Sequence, residues 1–336
     1  MTNIRTVIWT VRPASAEFRS VIADFLRSNT LLDDLRLDVN GVTDLSFSLD
    51  ELPNLRKLEI GSNYQISASV VRKLTPVILK NSNLSSLPLR GGQEEWSQLW
   101  TLLRTRQIYL TDVSATYVGD EILAYLGSYS GIERLQLLWV DAGSETTSNR
   151  FADVFFETVL PRHTNSIVQL SCPALYECRW SFGAHNAHVI GRLQRVSKLE
   201  MTVNCEDVPD EQSVVHSGEN AVERILQLAA QLPALRNLGI FASDCEGNRE
   251  AECGNPSMDH EETVSAGISA VVRDFRPCVS SPAIVVAGHE ICEIQTAGTD
   301  PDFYLSTCRG ADMSRYKLGC ERSDASGNLQ NCIAHD

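Results

Sequence analysis

Apolar residues return along this chain at a spacing of three and then two. Leu32, Leu35 and Leu37 show it, and Leu55, Leu58 and Ile60 repeat it, both reading L-x-x-L-x-L. Side chains alternate across a strand, so the last two apolar residues share one face of a short strand and the first sits in the turn before it. The pattern recurs at Ile4-Val7-Trp9, Leu84-Leu87-Leu89, Ile132-Leu135-Leu137, Val196-Leu199-Met201 and Leu235-Leu238-Ile240. Weaker forms stand at Thr105-Ile108-Leu110 and Leu175-Cys178-Trp180. A strand this short cannot bury its apolar face alone, whereas a stack of such strands can. The pattern predicts a repeat protein.

Between the strands the hydrophobic period shifts to that of a helix. Residues 14–27 predict the first helix, capped by Ser15, with Phe18, Val21, Ile22 and Phe25 at helical spacing. Val70, Val71, Leu74, Val77 and Ile78 share one face of a helix over 65–80, and Trp96, Leu99, Trp100 and Leu103 one face over 94–103. Further helices are expected over 120–126, 148–160, 184–195, 220–232 and 262–276. The unit from Leu32 to Asn54 has no such stripe and predicts a turn. Between Ile132 and Cys178 the repeat stretches, and two segments, 167–171 and 176–182, both read as extended; either could hold the strand position.

Beyond Ser243 the composition changes. Residues 244–262 are acidic and carry Gly, Asn and Pro, which predicts a loop before a last helix and a strand at 283–286. From Gly288 onward no period is sustained. Ile291, Ile294, Phe303, Tyr304, Leu305 and Leu318 are too scattered to offset an ordering cost of roughly 1–2 kcal/mol per residue. The expected organisation is one repeat unit over 1–287 and a poorly ordered tail over 288–336, containing Cys292, Cys308, Cys320 and Cys332.

Charge narrows the function classes. A net charge of −14 and a pI near 5.0 argue against nucleic acid or an anionic membrane as the main partner. No run of 18 apolar residues occurs, so no transmembrane helix is expected. The N-terminal segment lacks the apolar core of a signal peptide, which predicts an intracellular protein, cytoplasmic or nuclear. There the ten cysteines are expected as reduced thiols. A strand pattern already begins at Ile4 with no capping unit before it, which predicts a shortened relative of a longer protein.

The strands alternating with helices, and the 28 residues between Ile4 and Leu32, resemble the leucine-rich-repeat family in its helix-bearing, ribonuclease-inhibitor-like form. The runs Leu135 to Gly143, Cys178 to His185 and Leu232 to Phe241 are also similar to the repeat region of fungal F-box-type proteins. The likeness covers about residues 4–287. No F-box segment precedes Ile4, and the Asn expected three places after the last leucine stands only at Asn40, Asn63 and Asn204. The resemblance implies an α/β solenoid of irregular repeats, with a curved parallel sheet inside and helices outside. It also implies a non-enzymatic protein–protein interaction module, a substrate-recognition domain related to ubiquitin-ligase adaptors, without the segment that docks on the ligase scaffold.

On such a sheet the residues between the core positions face the concave side. The middle positions of successive strands read Arg36, Glu59, Pro88, Tyr109, Gln136, Arg179 and Glu200. The flanking columns add Asp34, Lys57, Arg90, Arg134, Glu177 and Lys198. Because Arg and Tyr are typical interface anchors, the expected surface for a protein or peptide partner is Arg36, Glu59, Arg90, Tyr109, Arg134, Gln136, Arg179 and Glu200.

Catalytic signatures are weak by comparison. His289-Glu290-Ile-Cys292-Glu293 begins like a zinc-protease helix but has Glu293 where the second His belongs. The cysteines lack the close C-x2–4-C pairing of structural zinc sites. Gly91-Gly92 is not followed by the Lys of a phosphate loop, and no G-x-S-x-G or G-x-G-x-x-G occurs. No catalytic residue, metal site or cofactor is expected. The competing reading is a hydrolase or redox enzyme using its Cys and His residues.

Overall fold

The structure is a computed structural model that describes residues 4–11, 16–45, 49, 52, 54–62, 66–91, 96–138, 140–208, 220–249, 259–275, 284–295 and 304–310. Its strands are β1 (Thr6–Thr10), β2 (Asp34–Asp38), β3 (Lys57–Gly61), β4 (Ser86–Leu89), β5 (Asp112–Ala115), β6 (Arg134–Leu137), β7 (Gln169–Ser171), β8 (Lys198–Val203), β9 (Asn237–Ala242), β10 (Ile284–Ala287), β11 (Glu290–Gln295) and β12 (Tyr304–Gly310). They form one 12-stranded sheet in strict chain order. Pairing is parallel from β1 through β10 and antiparallel from β10 to β12. The helices are α1 (Ala16–Ser28), α2 (Ala68–Lys80), α3 (Ser97–Thr105), α4 (Asp120–Leu126), α5 (Glu145–Val154), α6 (Ala187–Ile190), α7 (Ala221–Ala229) and α8 (Asp259–Asp274).

Chain order decides the layers. Crossovers between parallel strands are right-handed, and here each one advances in the same direction, so all of them fall on one face of the sheet. Along β2 and β3 burial alternates, with Leu35, Leu37, Leu58 and Ile60 inside. The register stacks these residues into two apolar columns. One runs Leu35, Leu58, Leu87, Val113, Leu135, Leu170, Leu199, Leu238 and Val285, all buried in a single core with the inner faces of the helices. Between β2 and β3 the described residues form turns and no helix, with Leu45, Leu49 and Leu52 filling the space.

One strand lies off its expected position, and at another the first of two candidate segments holds the strand. β5 begins after Ile108 and Leu110, so Leu110, Val113 and Ala115 are the apolar triplet of that repeat. Tyrosine hydroxyls occupy the backbone of 108–110: the Leu110 N–H donates to Tyr125 Oη at 3.0 Å, Tyr125 Oη–H donates to the Ile108 carbonyl at 2.9 Å, and Tyr129 Oη–H donates to the Leu110 carbonyl at 2.9 Å. A backbone satisfied in this way is a turn. At β7 the strand is 169–171, and residues 175–181 form turns that drive Trp180 into the core against Phe155 and Phe156, with ring centroids 5.0 and 5.8 Å away. A π-helical turn over Phe155–Val159, continuing α5, brings the two phenylalanines there.

The ends differ from the sequence expectation as well. Phe18, Val21 and Phe25 of α1 are exposed, while Ala23 and Leu26 are buried, because α1 has a neighbouring repeat on one side only. Ser15 lies outside the described residues. At the other end the sheet runs past residue 287, as β11 folds back on β10 through Gly288-His289. Gly288 has φ +55°, and a Cβ there would meet Ser265 at 2.7 Å, so this turn requires glycine. Within the expected tail, Cys292 is therefore a core residue, while Cys320 and Cys332 lie outside the described residues.

His163 closes the turn before β6. The Ile132 N–H donates to its Nδ1 at 3.4 Å, and its Nε2–H donates to the Leu126 carbonyl at 2.9 Å. Burial is the main cause that holds its pKa below the ordinary histidine value, and Arg162 adds to it. A second proton would face the Ile132 donor. Because the unfolded chain takes that proton first, this contribution to stability is full above about pH 6.5 and is lost as pH falls through it. His185, lowered by burial in the same way, has the same sign. Urea unfolding is expected to show stability falling from pH 7 to pH 5, by at most about 1.4 kcal/mol per pH unit for each histidine, and His163→Gln should reduce that slope.

Candidate functional site

The sheet face turned away from the helices carries the charged columns. Asp34, Lys57, Ser86, Asp112, Arg134 and Lys198 stand at the first position of their strands, and Arg36, Glu59, Ser114, Gln136, Ser171 and Glu200 at the third. Of the residues expected on this surface, Arg36, Glu59, Gln136, Arg134 and Glu200 are in these columns. Arg90, just beyond β4, reaches the same group.

Glu59 is the hub. Its carboxylate lies 3.7 Å from Arg36 Nε, 3.5 Å from Lys57 Nζ and 3.7 Å from Arg90 Nη2. Asp34 adds a contact to Arg36 at 3.5 Å. A second group follows across β4–β6, where Asp112 takes Arg134 Nη2 at 3.2 Å and the Ser86 hydroxyl at 2.8 Å. Heights above the sheet differ by sign. The side chains of Arg36, Arg90 and Arg134 are 41%, 51% and 49% exposed, and those of Asp34, Glu59 and Asp112 only 20%, 19% and 17%. Acids lie low on the sheet and guanidinium groups stand above them. The contacts of Arg36 and Arg90 are too long for hydrogen bonds, so those planar forks keep donors for another acceptor.

Two expected residues are elsewhere, and a third is covered. Tyr109 is in the turn before β5, its ring stacked on Tyr129 at 4.9 Å, and Ser114 holds the strand position. Arg179 belongs to the turns after β7, where its Nε donates to Asp153 at 2.5 Å and its N–H to Asn149; Ser171 holds that strand position. Glu200 is in its column but buried. It is paired to Lys198 at 2.7 Å beside the Phe241 ring, where Gly239 leaves room for both. Polar side chains that are exposed or half-buried thus stand on β2, β3, β5 and β6, with Arg90 beyond β4, whereas Ser86, Pro88 and Ser114 are buried.

Beyond the C-terminal ends of β6–β9 a second polar cluster gathers. Arg249 binds Glu246 through two bonds, 2.7 and 2.9 Å, donates to Asp141, and lies 4.3 Å from the centre of the Tyr176 ring. Burial opposes its charge, but the bonds to Glu246 and Asp141 outweigh that and hold its pKa above the ordinary arginine value. Nearby, Glu177 Oε1 contacts His260 Nε2 at 3.2 Å and accepts the Cys205 N–H at 2.6 Å. Burial, with Glu206 and Glu177 adding, pushes the Asp207 carboxyl up. Sequence reading placed Glu177 on the strand face and gave Cys205 and His260 no role, because they are far apart in the chain.

The buried thiols Cys178 and Cys172 are poorly suited to nucleophilic work. Burial pushes Cys178 up to about 11 and Cys172 up to about 12. Among the described residues no helix is long and apolar enough to cross a membrane. The sequence matches no protein-family model and no curated protein.

The two charge groups should respond differently to mutation. Glu59→Gln is expected to cost under about 1 kcal/mol, since its partners are largely solvated. Arg249→Ala strands Asp141 and Glu246 and is expected to cost roughly 1–3 kcal/mol. Urea unfolding of both variants checks the order.

Proposed function

We propose that this chain is a leucine-rich-repeat solenoid that works as a non-enzymatic recognition module, holding an acidic protein or peptide segment on the open face of β2–β6. The observation that carries this reading is the layering of charge: in a chain of net charge −14, this face presents arginines above sunken carboxylates. Arg36, Arg90 and Arg134 would each offer a planar fork to a partner carboxylate, a geometry that favours bidentate binding. Lys57 and Glu59 set the spacing of the forks, and Gln136 extends the polar row towards β7.

Further support comes from repeat chemistry. Asn40 Oδ1 accepts from the Ser62 hydroxyl at 3.2 Å and Asn204 Oδ1 from the Cys178 N–H at 3.3 Å, so the Asn following the triplet ties one repeat to another. This fits the likeness to the repeat region of F-box-type proteins, in which the face would hold the client of a ubiquitin-ligase adaptor. Strands in strict chain order also leave no switch point in the sheet, the crevice where open α/β enzymes bind substrates.

The test uses a fluorescently labelled Glu/Asp-rich peptide, with a Lys-rich peptide of equal length as control. Anisotropy should show the acidic peptide preferred, with affinity falling as salt rises. Changing Arg36, Arg90 and Arg134 together to Glu should weaken it more than tenfold, because like charges then meet. Equal binding by that variant, with its unfolding midpoint unchanged, would overturn the proposal.

A further inference from the structure

Glu177, Cys205 and His260 come from three separate parts of the chain: the turns after β7, the turn after β8 and the first turn of α8. One carboxylate oxygen, the thiol sulfur and one imidazole nitrogen all lie within 4.8 Å of one another. We infer that these three side chains form a Zn²⁺ site.

Geometry supports it first. Tetrahedral zinc, with bonds of about 2.0–2.2 Å to nitrogen and oxygen and about 2.3 Å to sulfur, sets its donor atoms roughly 3.3–3.6 Å apart. The 3.2 Å between Glu177 Oε1 and His260 Nε2 is already close to such an edge. The widest separation in the trio needs to close by only about 1 Å to meet the same edge. The Glu177 oxygen is also held in place, since the Cys205 N–H donates to it. Cys205 thus supplies both a donor atom and the bond that orients another ligand.

Donor chemistry selects the ion. Thiolate with imidazole and carboxylate suits zinc, whereas calcium and magnesium take oxygen ligands. The surroundings are negative, with Glu206 and Asp207 on the turn that carries Cys205. Three protein ligands leave a fourth position, for water or for the Asp207 carboxylate. Bound metal would join points that are 83 residues apart in sequence, Glu177 and His260.

The experiment takes the full chain, reduced and stripped with chelator, and titrates it with ZnCl2 and separately with CoCl2. One equivalent of zinc should bind and raise the unfolding midpoint, and cobalt should give a thiolate charge-transfer band. Cys205→Ser should abolish the band, and Cys205→Ser or His260→Gln should each weaken zinc by at least about 100-fold, the upper end of what loss of an outer-shell partner costs. A variant with Cys308, Cys320 and Cys332 changed to Ser should keep both signals. The inference fails if the full chain takes up no stoichiometric zinc. It fails equally if the band survives in Cys205→Ser, or is lost only when the three tail cysteines are removed.

Discussion

A parallel sheet whose crossovers all advance in one direction can cover only one of its faces with helices, and the rest of this molecule follows from that. The covered face takes the apolar columns headed by Leu35 and Leu37, and its partners are the inner faces of the helices. The other face must be stable in water without a layer above it. On β2–β6 it meets that requirement with ion pairs that run mainly from strand to strand, Asp34–Arg36–Glu59–Arg90 and Asp112–Arg134. Such pairs add little to stability individually. Their consequence is an ordered, solvated array of guanidinium groups at strand spacing.

Towards β8 and β9 the same face is closed by its own side chains. Phe241 and the stem of Glu200 meet over Gly239, which has no side chain to keep them apart. The turns after β7 to β9 then hold the polar clusters of Arg249 and of Glu177, so the C-terminal half is tied together at its strand ends. The proposed recognition surface and the polar clusters at the strand ends thus occupy different parts of one sheet, and the proposed metal would act on the second without touching the first.

The repeat could be read from sequence wherever leucine or isoleucine marks both strand positions, as at Leu35-Leu37 and Leu58-Ile60. It slipped where smaller residues do so. Val113 and Ala115 look less like core than Ile108 and Leu110, yet they are the strand residues, because Tyr125 and Tyr129 bind the backbone of 108–110 from farther along the chain. At β7 both 167–171 and 176–182 read as extended, and the first holds the strand, because a π-helical turn in the preceding helix places two phenylalanines that receive Trp180 from the second. Arg36, Glu59 and Arg134 were legible since their strands were. Tyr109 followed the slipped register of β5, and Arg179 the second of the two candidate segments at β7. Nothing local marks Cys205 and His260 as neighbours of Glu177, since only the stacking of repeats brings them together. The charge-layering of the open face was equally hidden, because side-chain height is a property of packing.

The register of β5 against β6 is the most direct measure of this account, because it decides which residues line the open face. Ser114 and Gln136 are Cα partners across these strands, within the reach of a disulfide, whose Cα atoms lie about 4.4–6.8 Å apart. Cysteines placed at both positions, oxidised mildly and mapped by mass spectrometry of the linked peptides, should join to each other in high yield. A pair at positions 109 and 136 should not. Preferential linkage of 109 to 136 would contradict the register, and with it the face on which the proposed recognition depends.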